Sequence, residues 1–415
     1  MKKENGKKKH ILVVSQYFYP EQFRINDMCQ EWIKRGYKVT VLTGIPNYPQ
    51  GKFYTGYGYI KKRQETWEGI NVIRIPLIPR GKNALGLVLN YFSFLVSGFF
   101  WNLVTNVDAD YVFIFGISPL TQALIGTRYA KRHSIPCCLY VQDLWPENVE
   151  SVTGIHNEFV LRPIGKMMNS IYRDCSILFA TSESMVKKIQ ERVFENKDKI
   201  LFWPQYSEEF YDILPKCTLP DMKENESYKI IYTGNIGYAQ GLEILPKIAR
   251  KLKNAAVRCE FYIIGDGRYK ETLYLDIKNR DVEDMFFLLG KKQPEEIPKY
   301  MAVCDAAFLS FADEPIYEMT IPAKLQSYMA CGMPILAVAK GETKRIIERA
   351  ECGIAIENSD IDQVFLAIQN MVKDASLKKE IHGKRAREYC EIHFNKRKLM
   401  DYFDDVIKNQ EKIHD

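Results

Sequence analysis

The sequence predicts an α/β protein of two doubly wound domains, each on a parallel sheet covered by helices. Three observations carry this. Short continuous apolar runs recur along all 415 residues with helical patterns between them, and such runs suit strands covered on both faces. The strand–helix alternation argues for parallel sheets with right-handed crossovers. A glycine loop, Gly234-Asn-Ile-Gly237, follows an apolar run past the midpoint of the chain. Backbone N–H groups in such a loop approach a phosphate at the positive end of a helix, so a second nucleotide-type domain is expected there. The length allows two separate cores.

In the first half the strand-length runs are His10–Ser15, Lys38–Leu42, Asn71–Ile75, Tyr111–Phe115, Cys137–Val141, Ile177–Thr181 and Ile200–Trp203. In the second they are Lys229–Thr233, Glu260–Ile264, Met285–Leu289, Ala306–Ser310, Pro334–Val338 and Gly353–Ile356. The helix after the first strand shows the pattern between them: Ile25, Met28, Cys29, Trp32 and Ile33 share one face, and Arg35-Gly36 ends it. Pro204, Pro215, Pro220 and the polar stretch Asp221–Ser227 interrupt the rhythm. We therefore set the domains at residues 1–205 and 206–390. The remaining segment, 391–415, is charged and helical, with Phe394, Met400, Phe403 and Ile407 as its packing stripe. It is expected to fold back across the junction toward the first domain.

At 46% hydrophobic and 27% charged residues the composition excludes a disordered chain. Ten cysteines without a CxxC motif read as buried free thiols in a reducing compartment. No HExxH or Cys/His cluster suggests a metal, and His10, His133, His156, His382, His393 and His414 show no ligand spacing. Met1–His10 holds five lysines, and the apolar run after it is too short for a signal peptide, so the start reads as a solvated basic tail before a first strand. The net charge of +6 is uneven. Up to Gln205 there are 27 Lys and Arg against 17 Asp and Glu; the remainder has 31 against 35. The basic first half would attract a phospholipid surface or a pyrophosphate, or is simply solvated.

Residues 83–107 carry no charge and are rich in Leu, Phe and Tyr. By length they could span a bilayer, but a single crossing would separate the third and fourth strands of one expected sheet. Two readings stay open: a buried crossover helix, or an in-plane helix dipping into the lipid interface through Phe99, Phe100 and Trp101. Arg80, Lys82 and Lys61-Lys62-Arg63 nearby favour the second.

The Gly234–Gly237 loop gains support from two further strand ends, Gly265-Asp-Gly267-Arg268 and Gly290-Lys291-Lys292. All three should meet at the carboxyl edge of one sheet, where α/β proteins bind ligands. In Ile321-Pro-Ala-Lys-Leu-Gln-Ser-Tyr-Met-Ala-Cys-Gly332 a proline opens a helix, and Lys324 falls in its first turn. A cation is poorly placed there for the helix dipole. A bound diphosphate removes the conflict; a solvated lysine is the alternative.

These residues resemble the family 4 retaining glycosyltransferases of the GT-B fold, and most of all the bacterial L-fucosamine (N-acetyl-L-fucosamine) transferase subgroup of O-antigen and capsule assembly. The likeness runs over nearly the whole chain. Its markers are Gln16-Tyr-Phe-Tyr-Pro-Glu21 with Arg24, Thr43-Gly-Ile-Pro-Asn-Tyr-Pro-Gln-Gly51, Gln142-Asp-Leu-Trp-Pro-Glu147, Thr233–Glu243, Gly265-Asp-Gly267 and Ile321–Gly332. The resemblance implies two Rossmann-like domains facing across a cleft, the first binding an acceptor and the second a nucleotide-sugar donor. It implies no cofactor and no required metal. Gly234, Asn235, Gly237, Gln240, Gly265, Gly267, Arg268, Lys291, Glu318, Lys324 and Ser327 would hold the donor.

Two departures stand out. The family carries an Arg and a Lys five residues apart in the phosphate loop, where this chain has Asn235 and Gln240. It also carries two glutamates eight residues apart, where this chain has Met319 and Ser327, with Glu318 one position off register. Arg268, Lys291 and Lys324 are the available substitutes for the lost cations. In a retaining transfer positive charge develops at the anomeric carbon, so Asp143 and Glu147, just past a strand end in the first domain, are the candidate catalytic carboxylates. The alternative makes Asp143 a helix cap and Glu147 solvated. In the family-wide picture the leaving phosphate serves as base and no protein nucleophile is needed. Gln16, Tyr17, Glu21, Arg24, Asn47 and Tyr48 lie at the first two strand–helix turns and are the candidate acceptor residues. Arg24 would grip a pyrophosphate bidentately, or form a surface ion pair.

The expectation is a cytoplasmic enzyme, peripheral at the inner face of the membrane, without nucleic-acid partners. It would move an N-acetylated deoxyhexosamine from a UDP donor to a polyprenyl-diphosphate-linked saccharide. A GT-B epimerase or oxidoreductase is one rival. A noncatalytic saccharide-binding protein at the membrane is the other.

Overall fold

Fourteen strands arrange themselves into two sheets, seen in a computed structural model that describes residues 8–81, 83–193, 196–357, 360–373 and 375–414. Lys82 and the lysines at positions 2, 3 and 7 lie outside the described residues. The chain divides into two compact units. One runs to Thr181 and takes in Met185–Phe202; the other comprises Ser182–Ser184 and everything from Trp203 on.

The first unit is built on β1 (His10–Val14), β2 (Lys38–Gly44), β3 (Gln64–Trp67), β4 (Ile70–Ile75), β5 (Tyr111–Gly116), β6 (Cys137–Val141), β7 (Ile177–Ala180) and β8 (Ile200–Phe202). The sheet order is β3-β4-β2-β1-β5-β6-β7-β8, parallel throughout except for the β3–β4 hairpin. β1, β5, β6 and β7 are buried at every position, which is why their sequences are apolar runs and do not alternate. Helix α1 (Arg24–Lys34) covers the sheet with Ile25, Met28, Cys29 and Trp32, and Trp32 meets Phe113 edge-on at 4.8 Å. Each such fully buried side chain contributes about 1.5–3 kcal/mol of transfer free energy.

β3 is the one strand the apolar runs did not announce. Gln64-Glu-Thr-Trp67 is half-exposed and polar. It is held by fully buried Arg74, whose guanidinium pairs with Glu65 at 2.6 Å and donates to the Tyr19 carbonyl at 2.8 Å. Trp67 adds a stack on Tyr19, centroids 4.4 Å apart.

Residues 83–107 form helix α2 (Ala84–Val104), capped by the Asn83 side chain on Gly86 N. It connects β4 to β5 of one sheet. Its inward row is Asn90, Phe94, Gly98 and Asn102. A Cβ at Gly98 would lie 2.2 Å from Ile125 Cδ1, so glycine allows the helix to lie flat on its neighbour. Asn102 adds a 3.0 Å bond to the Ile125 carbonyl. The outward face is the apolar one: Leu85, Val88, Leu89, Phe92, Phe100, Leu103 and Val104 are all exposed. This inverts the usual helix of a soluble protein, polar outside and apolar inside.

The second unit carries β9 (Tyr228–Thr233), β10 (Cys259–Ile264), β11 (Phe286–Gly290), β12 (Ala306–Ser310), β13 (Ile335–Val338) and β14 (Gly353–Ile356), in the order β11-β10-β9-β12-β13-β14 and parallel throughout. Two apolar layers cover it, one around Leu245, Ile248 and Leu273, the other around Leu325, Tyr328 and Met329. The last helix, Lys396–His414, belongs to this unit. Phe403 stacks on Trp203 at 5.4 Å, and Trp203 Nε1 donates to the Leu399 carbonyl at 2.9 Å. All ten cysteines are free, nine of them buried, Cys217 exposed.

Candidate functional site

In the second unit, parallel pairing brings the ends of β9, β10 and β11 to one edge. Gly234 N donates to the Ile264 carbonyl at 2.9 Å, Ile236 N to the Asp266 carbonyl at 2.8 Å, and Gly265 N to the Gly290 carbonyl at 2.9 Å. The loops touch so closely that a Cβ on Gly265 would lie 1.8 Å from Gly234 O, and one on Gly267 2.2 Å from Ile236 O. The glycines are thus explained by backbone against backbone. Asn235 and Gln240 brace the same loop: Gln240 Oε1 accepts from Asn235 Nδ2 at 3.2 Å and from Gly237 N at 3.0 Å. An amide pair stiffens the turn where the resemblance led us to look for cations.

Lys324 enters this edge from the helix Ala323–Ala330. Its Nζ donates to Tyr232 Oη at 2.8 Å and sits 4.2 Å from that ring's centroid. The Tyr232 hydroxyl in turn donates to the Asn235 carbonyl at 2.6 Å. A Cβ on Gly234 would come within 3.8 Å of the ammonium. Among the described residues no carboxylate pairs with it. Desolvation pushes its pKa down to about 7. The side chains of Arg268 and Lys291 are exposed at the neighbouring strand ends, and among the described residues neither makes a hydrogen bond or ion pair. Lys292, by contrast, is committed to Asp221 at 2.6 Å. Glu318 is exposed and lines a small hollow with Asp313, Tyr317, Lys340 and Glu357 at the ends of β12 to β14. Ser327 is buried, its hydroxyl turned back to the Ala323 carbonyl at 3.2 Å, which leaves it to helix packing.

The first unit has a corresponding edge. Asp143 follows β6. Its Oδ2 accepts from Ser118 N at 2.7 Å and Ser118 Oγ at 2.8 Å, and its Oδ1 accepts from Asn148 Nδ2 at 3.1 Å. Trp145 Nε1 donates to the same Ser118 hydroxyl at 3.0 Å. The carboxylate caps no helix; it is fixed across the ends of β5 and β6. Burial raises its pKa, opposed by the bonds from Ser118 and Asn148. Glu147 is differently employed. One of its oxygens pairs with Arg192, whose other nitrogen donates to the Trp145 carbonyl at 2.6 Å. That arrangement reads as a brace for the loop and not as a free acid.

At the first two turns Glu21 is a staple. Its Oε1 accepts from Asn47 N at 2.7 Å and Tyr48 N at 2.6 Å, and burial pushes its pKa up to about 7 against those bonds. Gln16 is also internal: its amide donates to Asn90 Oδ1 at 2.7 Å, while Asn47 Oδ1 accepts from Arg80 N at 3.0 Å. Both residues shape the site from beneath. Tyr17, Phe23 and Tyr48 form an aromatic cluster with centroids 5.3–5.4 Å apart, and the Arg80 guanidinium lies over the Tyr48 ring at 5.3 Å. Arg24 opens α1 and lies close enough to Tyr140 to oppose the upward shift that burial gives its hydroxyl. On α2 only Phe100 of the expected aromatic trio faces outward. Phe99 packs under Arg128 and Trp101 stacks on Tyr129.

Ser118 and Tyr232 are absent from the sequence reading, and Arg80 enters it only as a cation beside the lipid surface. Ser118 lies just past the end of β5, a position that could have singled it out; Tyr232 sits inside an apolar run and carried no signal.

Comparison with known proteins agrees with this layout. Residues 22–204 match the family model described as a glycosyl transferase 4-like domain, and residues 221–389 the one described as glycosyl transferases group 1. The WcaI protein of Escherichia coli, named as a colanic acid biosynthesis glycosyl transferase, is 26% identical over 96% of this chain and 99% of its own length. The fold is that of sucrose-phosphate synthase from Thermosynechococcus elongatus (TM-score 0.75, 13% identity, 98% of this chain and 100% of the other). It is also that of Anabaena HepE, solved with UDP and glucose (TM-score 0.68, 14% identity, 97% and 100%). Two Rossmann-like units in this order, each matching its own half of the pair, identify the chain as a GT-B glycosyltransferase of group 1.

Proposed function

We propose that the protein is a retaining glycosyltransferase of surface-polysaccharide assembly, moving a sugar from a UDP donor to a lipid-linked saccharide. The observation that carries this reading is Lys324: a desolvated ammonium with no carboxylate partner among the described residues, beside a glycine loop at the edge of a parallel sheet. A donor diphosphate supplies the missing charge, and exposed Arg268 and Lys291 add to it. The cationic groups take the part a metal would play, so no metal is required. In the transfer the bond from the anomeric carbon to the diphosphate oxygen breaks, and a bond to the acceptor oxygen forms. The acceptor proton passes to the leaving phosphate, and Asp143 stabilises the developing positive charge. An N-acetylated deoxyhexosamine and a polyprenyl diphosphate carrier follow from the resemblance to the L-fucosamine transferases; kinship with WcaI supports the polysaccharide setting.

The test is a donor screen by mass spectrometry, using whole protein, a panel of UDP- and GDP-sugars, and a short-chain polyprenyl-diphosphate saccharide. We expect a mass gain on the acceptor with a UDP-sugar, undiminished by EDTA. Turnover of UDP-sugar with no acceptor present would favour an epimerase instead. Saccharide binding without UDP binding would favour a noncatalytic role.

The exposed apolar face of α2 supports a peripheral position on the membrane, since its outer residues would otherwise meet water. Arg80 precedes this helix, and Arg128 and Arg132 reach it at the Phe99 ring and the Asn102 carbonyl, cations that suit an anionic lipid surface at the inner leaflet. Replacing exposed Phe92 and Phe100 by Glu should cut co-flotation with anionic liposomes about tenfold or more, from the loss of about 1.5–3 kcal/mol of burial per ring. Thermal stability should hold, because neither ring packs inside. Unchanged flotation would dismiss the lipid contact.

A further inference from the structure

We infer that Arg80, with the hydroxyls of Tyr17 and Tyr91, forms a diphosphate site in the first unit for the acceptor's lipid-linked diphosphate. This inference rests on the acceptor class proposed above. It assigns the anion to the root of α2 and not to Arg24.

Four features converge there. The Arg80 guanidinium is held over the Tyr48 ring at 5.3 Å, and its own backbone is fixed by Asn47 Oδ1 at 3.0 Å. Among the described residues no carboxylate pairs with it. Tyr17 is 2% exposed, and the groups around its hydroxyl are the Arg80 guanidinium and the Tyr91 hydroxyl. An anion oxygen placed between this hydroxyl and the guanidinium would accept from both. The positive end of α2, a helix of 21 residues, begins four residues after Arg80. Finally, the exposed apolar face of α2 starts at Leu85 and continues through Val88, Leu89 and Phe92. An anion-binding site at the foot of an apolar stripe suits an amphiphile whose charged head sits on Arg80 while its hydrocarbon runs along the helix. The planar fork of arginine matches two phosphate oxygens at once. Tyr91 also feels the charge of Asp143, so the head would lie on the side of the first unit where the candidate catalytic carboxylate is fixed.

The test is direct binding, independent of turnover. Geranyl diphosphate, geranyl monophosphate, geraniol and UDP are titrated by calorimetry into the wild-type protein, Arg80→Gln, Arg80→Lys and Arg24→Gln. We expect Arg80→Gln to weaken geranyl diphosphate about tenfold or more and Arg80→Lys by a smaller factor, as loss of the bidentate fork dictates. Geraniol should bind equally to all four proteins, and UDP should too, because the donor edge belongs to the other unit. Equal affinity of wild type and Arg80→Gln for geranyl diphosphate overturns the site, as does a loss shown by Arg24→Gln alone. Loss of UDP binding in step with geranyl diphosphate would mean that Arg80 serves the nucleotide or the fold, and also overturns it. Should Arg80→Gln fail to fold, Arg80→Lys and the ratio of diphosphate to monophosphate affinity in the wild type decide: no preference for the diphosphate rejects the assignment. Failure of the functional reading shows separately, as absent transfer in the mass-spectrometric screen.

Discussion

Replacing Lys324 by Met should lower transfer about 10²–10³-fold, the range for removing one preorganised donor from a developing anion. UDP affinity should fall with it. Methionine keeps the length and most of the volume of the side chain. The fold is expected to survive, because burying the ammonium costs free energy that the variant no longer incurs.

The protonation behaviour of Lys324 gives a second readout. Its folded pKa of about 7 lies below the ordinary value of 10.5. Between those values the unfolded chain binds more protons than the folded one, so this group makes stability rise with pH from about 7 to about 10.5, with no further loss below 7. A bound diphosphate reverses the shift, because the charged form then has a partner. At pH 8 the free side chain is mostly neutral, so binding a UDP-sugar should take up about 0.9 proton, and at pH 6 about 0.1, for a group titrating at about 7. Calorimetry in buffers of different ionisation enthalpy measures this uptake, and the Met variant should show none. Binding of a UDP-sugar at pH 8 without proton uptake would separate Lys324 from the diphosphate. The Gly234 loop with Arg268 and Lys291 would then make up the donor grip.

How far the sequence led depended on what each residue does. Strands buried on both faces must be apolar along their length, so thirteen of the fourteen were legible within a residue or two. β3 was not, because its stability comes from Glu65 meeting Arg74 and Trp67 meeting Tyr19, pairings between segments that no local pattern encodes. The strand-end glycines were legible as a group, though the reason proved to be contact between loops. Glu21 and Gln16 drew attention for their chemistry, yet they spend it on backbone and on Asn90. Motif reading finds polar residues at strand ends. It does not tell which of them face a ligand and which hold the turn that does. The substitution of Asn235 and Gln240 for the usual cations is intelligible only with coordinates, where they form one bonded pair.

Asp143→Asn should separate stability from catalysis. The carboxylate's pKa is raised by burial, so the protonated form is favoured in the fold. Its stabilising share is fully present below the ordinary value of 3.8 and is lost as pH rises through the folded value. At neutral pH the wild type therefore holds a desolvated charge that the amide lacks. The amide also fits the existing contacts: its oxygen can accept from Ser118 N and Oγ, and, once the Asn148 amide is turned, its NH₂ can donate to Asn148 Oδ1, a buried oxygen that makes no hydrogen bond in the wild type. A melting temperature equal to or above that of the wild type is expected. Turnover should nevertheless fall about 10²–10⁴-fold, as for loss of a group acting on charge or proton in the transition state, with UDP affinity unchanged within about twofold. Glu147→Gln should do the opposite. It weakens the Arg192 brace and lowers the melting temperature, while turnover per folded molecule holds. Full activity in Asp143→Asn would remove the carboxylate from the chemistry, and a turnover loss confined to Glu147→Gln would transfer the role to that residue.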